Sequence, residues 1–230
     1  MSKNSQGAYW ATYASGQKNP VLYKKSDGKQ PAGLVYETNK YRTKLGDAFT
    51  TPTLTNPNSL TVTYSSSDNN VATVDNTGTV TIKAVGAVEI TATFAGSETH
   101  RQGSAKYTIC VTEHAGTETD PYTVADAKRV IDVLGTVSDV YATGIVSQVD
   151  TYNSTYKSIT YWISADGTST NHMQVYGGLN KEGEEPFSSK DDIKTGDEVV
   201  VKGNLKLHNG TLYEFDANNQ LVSLKREKQQ

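Results

Sequence analysis

Five carboxylates stand close together in the last third of the chain: Glu182, Glu184 and Glu185 in a glycine-flanked loop, then Asp191 and Asp192. General acid–base chemistry needs two such groups set across a substrate cleft, one of them in an apolar pocket. Acids in a Lys- and Ser-rich loop read instead as a solvated face, or as a loose site for a hard cation without the EF-hand spacing. The four histidines, His100, His114, His172 and His208, are far apart and form no H-x-x-x-H pair. Cys110 is the single cysteine, which rules out an internal disulfide and a thiolate metal cluster. It lies in Tyr107-Thr108-Ile109-Cys110-Val111, an apparent strand, where a small buried core residue is expected rather than a nucleophile. No glycine pattern cradles a phosphate, and there is no G-x-S-x-G elbow. The expectation is a chain that is not an enzyme and that carries no metal or cofactor.

Aromatic residues are the remaining lead. In Ile159-Thr160-Tyr161-Trp162-Ile163, period-two alternation puts both isoleucines and Tyr161 on one face and Trp162 on the other. Tyr152, Tyr156, Tyr176 and Tyr213 fall on neighbouring strands or loops. Such a set exposed on a sheet face could stack on bases or sugar rings. The competing expectation is that Trp162 packs under the helix that opens this half of the chain, or against the preceding domain, since Trp is highly buried on average.

These residues must be positioned by β-structure. Residues 61–96 alternate apolar positions (Val62, Tyr64, Val80, Ile82, Val88, Ile90) with Thr and Ser, and break at Asp68-Asn69-Asn70, at Asn76-Thr77-Gly78 and at Gly86. The Asx residues at these breaks read as turn formers rather than cation ligands. Further strands are expected at residues 34–36, 41–43, 53–55 and 105–112, giving a sandwich over residues 33–113. Residues 114–121 read as a polar linker. Thr123 followed by Asp126 resembles a capping box, and Val124, Ala127, Val130, Ile131 and Leu134 share one helical face that ends at Gly135. Strands follow near 137–149, 159–164, 173–176, 198–207, 211–215 and 221–224, with a short helix near 190–194. Residues 1–32 read as a β-hairpin (8–13 with 20–23) and a linker; the hairpin is expected either as the remnant of a preceding domain or docked on the sandwich that follows.

Residues 1–119 carry 11 basic against 9 acidic side chains and residues 120–230 carry 11 against 16. Neither half has the basic footprint of a phosphate-backbone binder, so nucleic acid is disfavoured as a partner. No apolar run is long enough for a transmembrane span, and the first residues lack a signal-peptide core. That leaves either a cytosolic protein or a mature or excised fragment of a larger secreted polypeptide with an added start at Met1, and the fragment is the expectation.

Two resemblances add to this. Gly46-Asp47-Ala48-Phe49-Thr50, Val62-Thr63-Tyr64-Ser65-Ser66-Ser67, Val71-Ala72-Thr73-Val74-Asp75 and Gly78-Thr79-Val80 resemble the bacterial group 2 immunoglobulin-like domain over about residues 33–113. That resemblance implies a disulfide-free sandwich used as a spacer or adhesive module in bacterial surface proteins. Tyr141-Ala142-Thr143-Gly144-Ile145-Val146, Tyr161-Trp162-Ile163-Ser164 and Gly196-Asp197-Glu198-Val199-Val200-Val201-Lys202-Gly203 resemble OB-like domains of secreted Bacteroidetes proteins over residues 122–227. OB folds carry oligonucleotides, oligosaccharides or nothing. The fold expected is therefore mainly β, an immunoglobulin-like β-sandwich plus an OB-like β-barrel with one leading helix. The function expected is a non-catalytic extracellular or cell-surface module for spacing, adhesion or presentation. The alternative is a ligand-binding accessory domain of a larger secreted enzyme, with glycan favoured over single-stranded nucleic acid.

Overall fold

The computed structural model describes residues 27–226 and, before them, the backbone pairing of β1 (Ser2–Lys3) with β2 (Tyr9–Trp10). The strand expected at residues 20–23 lies outside the described residues.

The first core is a sandwich. Its larger sheet runs β4 (Lys40–Lys44), β10 (Gly103–Thr112), β9 (Gly86–Phe94), β6 (Thr63–Ser66), with β4 parallel to β10 and the other pairs antiparallel. Two short antiparallel pairs complete it: β3 (Val35–Tyr36) with β5 (Leu54–Thr55), and β7 (Ala72–Val74) with β8 (Val80–Ile82). Alternation decides which side chains enter the core. Val88, Ile90, Ala92 and Phe94 of β9 are buried with Tyr107 and Ile109 of β10, whereas Thr93 faces water. The turn residues act as their chemistry suggests: Asp75 Oδ1 accepts the N–H groups of Thr77 and Thr79 at 2.8 and 2.9 Å, and Asp68 Oδ1 that of Asn70 at 2.8 Å. Part of the stretch expected as an N-terminal linker is held: Gln30 N–H donates to Thr99 C=O, and Arg101 grips Asp27 through Nε and Nη2.

The second core is a closed barrel. Helix α1 (Val124–Leu134) opens it, with Thr123 Oγ1 accepting the Asp126 N–H and the Gly135 N–H closing on Ile131 C=O. Then come β11 (Val137–Asn153), β12 (Ser158–Ser164), β13 (Met173–Gly178), a 3-10 turn at Lys190–Asp192, β14 (Glu198–His208), β15 (Leu212–Phe215) and β16 (Gln220–Lys225). Neighbouring strands run β11, β12, β13, β15, β14, and β14 returns to β11 to close the ring. The β13–β15 pair is parallel, and β16 pairs with β14 at residues 198–202, on the same edge that β15 takes at residues 205–208. One long strand serves two neighbours: β11 pairs with β14 over residues 137–145 and with β12 over residues 145–153, bending at register shifts near Ser147 and Asp150. Ile159, Tyr161, Ile163, Met173, Val175 and Phe215 fill the interior.

The two cores touch through β10. Its last four residues, Ile109 to Thr112, are buried on both faces. Ile109 and Val111 enter the sandwich, while Cys110 points the other way and packs with Val124, Ala127, Val130 and Ile131 of the barrel-side core. The residues expected as a free linker are bound at several points: Asp120 accepts Lys44 Nζ at 2.6 Å, His114 Nδ1 at 2.7 Å and the Ala115 N–H at 3.0 Å. Arg42 Nη1 donates to the Tyr122 hydroxyl at 3.1 Å. Asp126 does not close the expected capping box. Its Oδ1 accepts the Glu113 N–H at 3.0 Å and Arg129 Nη1 at 2.8 Å, so the carboxylate serves the chain leaving the sandwich instead.

Candidate functional site

Tyr176 sits at a β-bulge. Ile159 of β12 pairs with Gly178 of β13 and Tyr161 pairs with Val175, so Thr160 alone faces both Tyr176 and Gly177. The bulge puts Gly177 in the left-handed region at φ +57°, where a side chain is strained, and removes its N–H from the ladder. Thr160 Oγ1 takes that N–H at 3.0 Å, and the buried Asn219 donates Nδ2 to the Tyr176 carbonyl at 2.8 Å. The backbone on both sides of Tyr176 is thus fixed, and its ring is directed outward with 49% exposure.

Tyr156 stands opposite on the β11–β12 turn, 73% exposed. Asn153 Oδ1 accepts the N–H groups of Thr155 and Tyr156 at 3.0 and 3.1 Å, which shapes that turn. Between the two tyrosines lies a cavity of about 560 Å³ walled also by Thr151, Asn153, Ser158, Thr160, Leu179 and Asn218. None of its lining residues is Asp, Glu, Lys, Arg or His.

Trp162 is half-buried, two residues from Thr160 and on the same outer face of β12, with the barrel interior taken by its neighbours Tyr161 and Ile163. Its ring stacks on His172 with centroids 4.2 Å apart. Burial, and secondarily Lys128, hold that imidazole below its ordinary range. Tyr152 turns inward, where its hydroxyl donates to Phe187 C=O at 3.0 Å. Tyr213 donates to Asp132 of α1 at 2.7 Å and lies under Lys128 Nζ, 5.1 Å from its ring centre. Of the five aromatics singled out from sequence, the structure brings Tyr156 and Tyr176 together; Trp162 shares their face, and Tyr152 and Tyr213 are engaged elsewhere. Sequence reasoning missed Thr160, Gly177 and Asn219. The Gly177-Gly178 pair inside a strand was the available signal for a bulge.

A second cavity, about 500 Å³, lies between α1 and residues 165–171. Its charged groups are already engaged: Arg129 with Asp126, Asp132 with the Tyr213 hydroxyl, Lys128 with Asn171 C=O at 2.7 Å, and Asp166 with the Thr168 N–H and hydroxyl. Glu182, Glu184 and Glu185 are exposed, and Asp192 is spent on the Ser188 and Ser189 N–H groups of the 3-10 turn. Among the described residues no three of His, Cys, Asp and Glu gather as a metal site, and no helix is long and apolar enough to cross a membrane.

No curated protein matches the chain. Residues 48–101, which span the turns of the sandwich and strands β5 to β9, match the family model of the bacterial Ig-like domain (group 2), so the chain carries a stretch similar to that bacterial immunoglobulin-like module.

Proposed function

We propose that the chain is a non-catalytic module of a bacterial extracellular or cell-surface protein. Residues 33–113 would be an immunoglobulin-like spacer, and residues 122–227 an OB-like domain held out for adhesion or presentation. The spacer half of this reading rests on the family match at residues 48–101. The OB-like half is supported by strand order, since numbering β11 to β15 as first to fifth gives 1-2-3-5-4 with the third and fifth parallel.

The observation that carries the reading is the junction. Domains joined by a polar linker move relative to one another by default. Here Asp126, only 1% exposed, ties α1 to the end of β10, and Cys110 of the sandwich is packed in the barrel-side core. A spacer so coupled transmits position instead of swivelling. Small-angle scattering tests this: the parent chain should fit one conformer, and Asp126→Ala combined with Lys44→Ala should broaden the distance distribution. A parent curve that needs an ensemble of domain angles defeats the proposal.

A second reading is that the barrel binds a ligand as an accessory to a larger secreted enzyme. It is favoured by the fixed Tyr176 backbone beside the exposed Tyr156, with Trp162 on the same face. Titration with glycans and with single-stranded DNA at low and moderate salt separates the ligand classes; silence toward both leaves the spacer reading alone.

A further inference from the structure

We infer that the cavity between Tyr156 and Tyr176 is a binding site for a neutral, hydroxyl-rich carbohydrate. The inference rests on the ligand-binding reading and goes further by assigning the ligand's chemistry.

Charge comes first. A phosphate backbone or an acidic sugar calls for Lys or Arg, and a hard cation calls for carboxylates. The wall of this cavity contains neither. What it contains is two phenol rings, three threonine or serine hydroxyls (Thr151, Ser158, Thr160) and the amides of Asn153 and Asn218. Thr160 Oγ1 and Asn153 Oδ1 already accept backbone N–H groups, but a purely apolar ligand would leave the Thr151 and Ser158 hydroxyls, the Asn218 amide and the remaining donors of Thr160 and Asn153 without partners on desolvation, which is costly. A pyranose answers both needs, because its C–H face covers an aromatic ring while its hydroxyls bond around the edge.

Shape and order agree with this. The cavity volume lies within the range of about 300–1,000 Å³ usual for small-molecule sites. Among the described residues Tyr156 and Tyr176 are the two most exposed aromatic rings, and they border one space. The backbone at Tyr176 is fixed before any ligand arrives by Thr160, by Asn219 and by the left-handed Gly177, so less ordering is left for binding to impose. Asn219 and Thr160 act as positioning residues in this scheme, and Tyr156 and Tyr176 make the contacts.

The test is a residue-resolved NMR titration of the whole chain. Probes are neutral cello-, xylo-, manno- and malto-oligosaccharides, glucose, galactose and mannose at high concentration, oligogalacturonate as the acidic sugar, and oligo-dT as the single strand. The expected result is saturable shifts at Tyr156, Gly177 and Asn218 with at least one neutral sugar, nearly independent of salt. Tyr156→Ala lies on an exposed turn and preserves the fold, and it should weaken that affinity about tenfold, as should Tyr176→Ala. Thr160→Val should weaken it less while leaving Tyr156 in place. Shifts at these residues with oligogalacturonate or oligo-dT alone would overturn the neutral-sugar assignment and keep the ligand-binding reading. Absence of shifts there with every probe would overturn both.

Discussion

Asp126 is worth following as a single residue, because its type and spacing suggested one role and the fold gave it another. Three positions after Thr123 it was placed to close a capping box, yet its carboxylate is turned to the Glu113 and His114 N–H groups and to Arg129. Asp126→Ala leaves those donors without an acceptor in a buried place, a loss of about 2 kcal/mol. That corresponds to a Tm fall of roughly 4–8 °C at this length, measurable by calorimetry. Cys110 makes the complementary point. Burial raises its thiol to about 11, so the thiolate is scarce at neutral pH. Native protein at pH 8 should not react with a disulfide reagent such as DTNB, and one thiol should appear when the chain is unfolded in guanidinium. Fast native labelling would mean that the β10–α1 contact opens.

At the scale of elements, β13 is a strand whose irregularity matters more than its length. Thr160→Val removes the only acceptor described for the Gly177 N–H and should cost about 1–3 kcal/mol in urea denaturation. Gly177→Ala meets no close atom, since the nearest is Ser158 Oγ at 3.9 Å, but its φ of +57° should cost about 1–2 kcal/mol. If the strand rebuilds without the bulge, both costs disappear and Tyr176 is redirected. The loop between the cores has a comparable constraint at Gly116, where an added Cβ would fall within the Tyr122 ring. Gly116→Ala should therefore loosen the Arg42–Tyr122 bond, seen as a change in tyrosine fluorescence before any global unfolding.

Across the whole molecule, two cores share one boundary, so heat should unfold them together. A single calorimetric transition with equal van't Hoff and calorimetric enthalpies is the expected outcome, and two transitions in the Asp126→Ala, Lys44→Ala protein. Acid should act on the same boundary. Lys44 first, then His114 and the Ala115 N–H, hold the Asp120 carboxyl far below its ordinary range. A carboxylate with a lowered folded pKa stabilises the native state above its unfolded pKa, about 3.9, and that contribution is lost as pH falls from there toward the folded value. Native-state hydrogen exchange at the Ala115 amide should accelerate relative to the barrel strands as pH drops below about 4, and Asp120→Asn should abolish that difference.

The sequence by itself determined the local rules: which residues alternate, where Asx and Gly turn the chain, where α1 starts and stops, and that Trp162 must lie opposite Tyr161. These depend on spacing and intrinsic conformational preference, which short stretches carry complete. The bulge at Gly177 was half legible, because a Gly-Gly pair in a strand announces an irregularity without saying which partner repairs it. Tertiary structure decided the rest. The partners of Tyr176 come from Thr160 and Asn219, the partners of Asp126 from the end of β10, and the second face of Cys110 from a helix fourteen or more residues further on. Such pairings follow from barrel closure and from the packing of two cores, which involve many residues at once. No alternation pattern encodes them, and so the polar stretch 114–121 could look like a free linker while being held at several points.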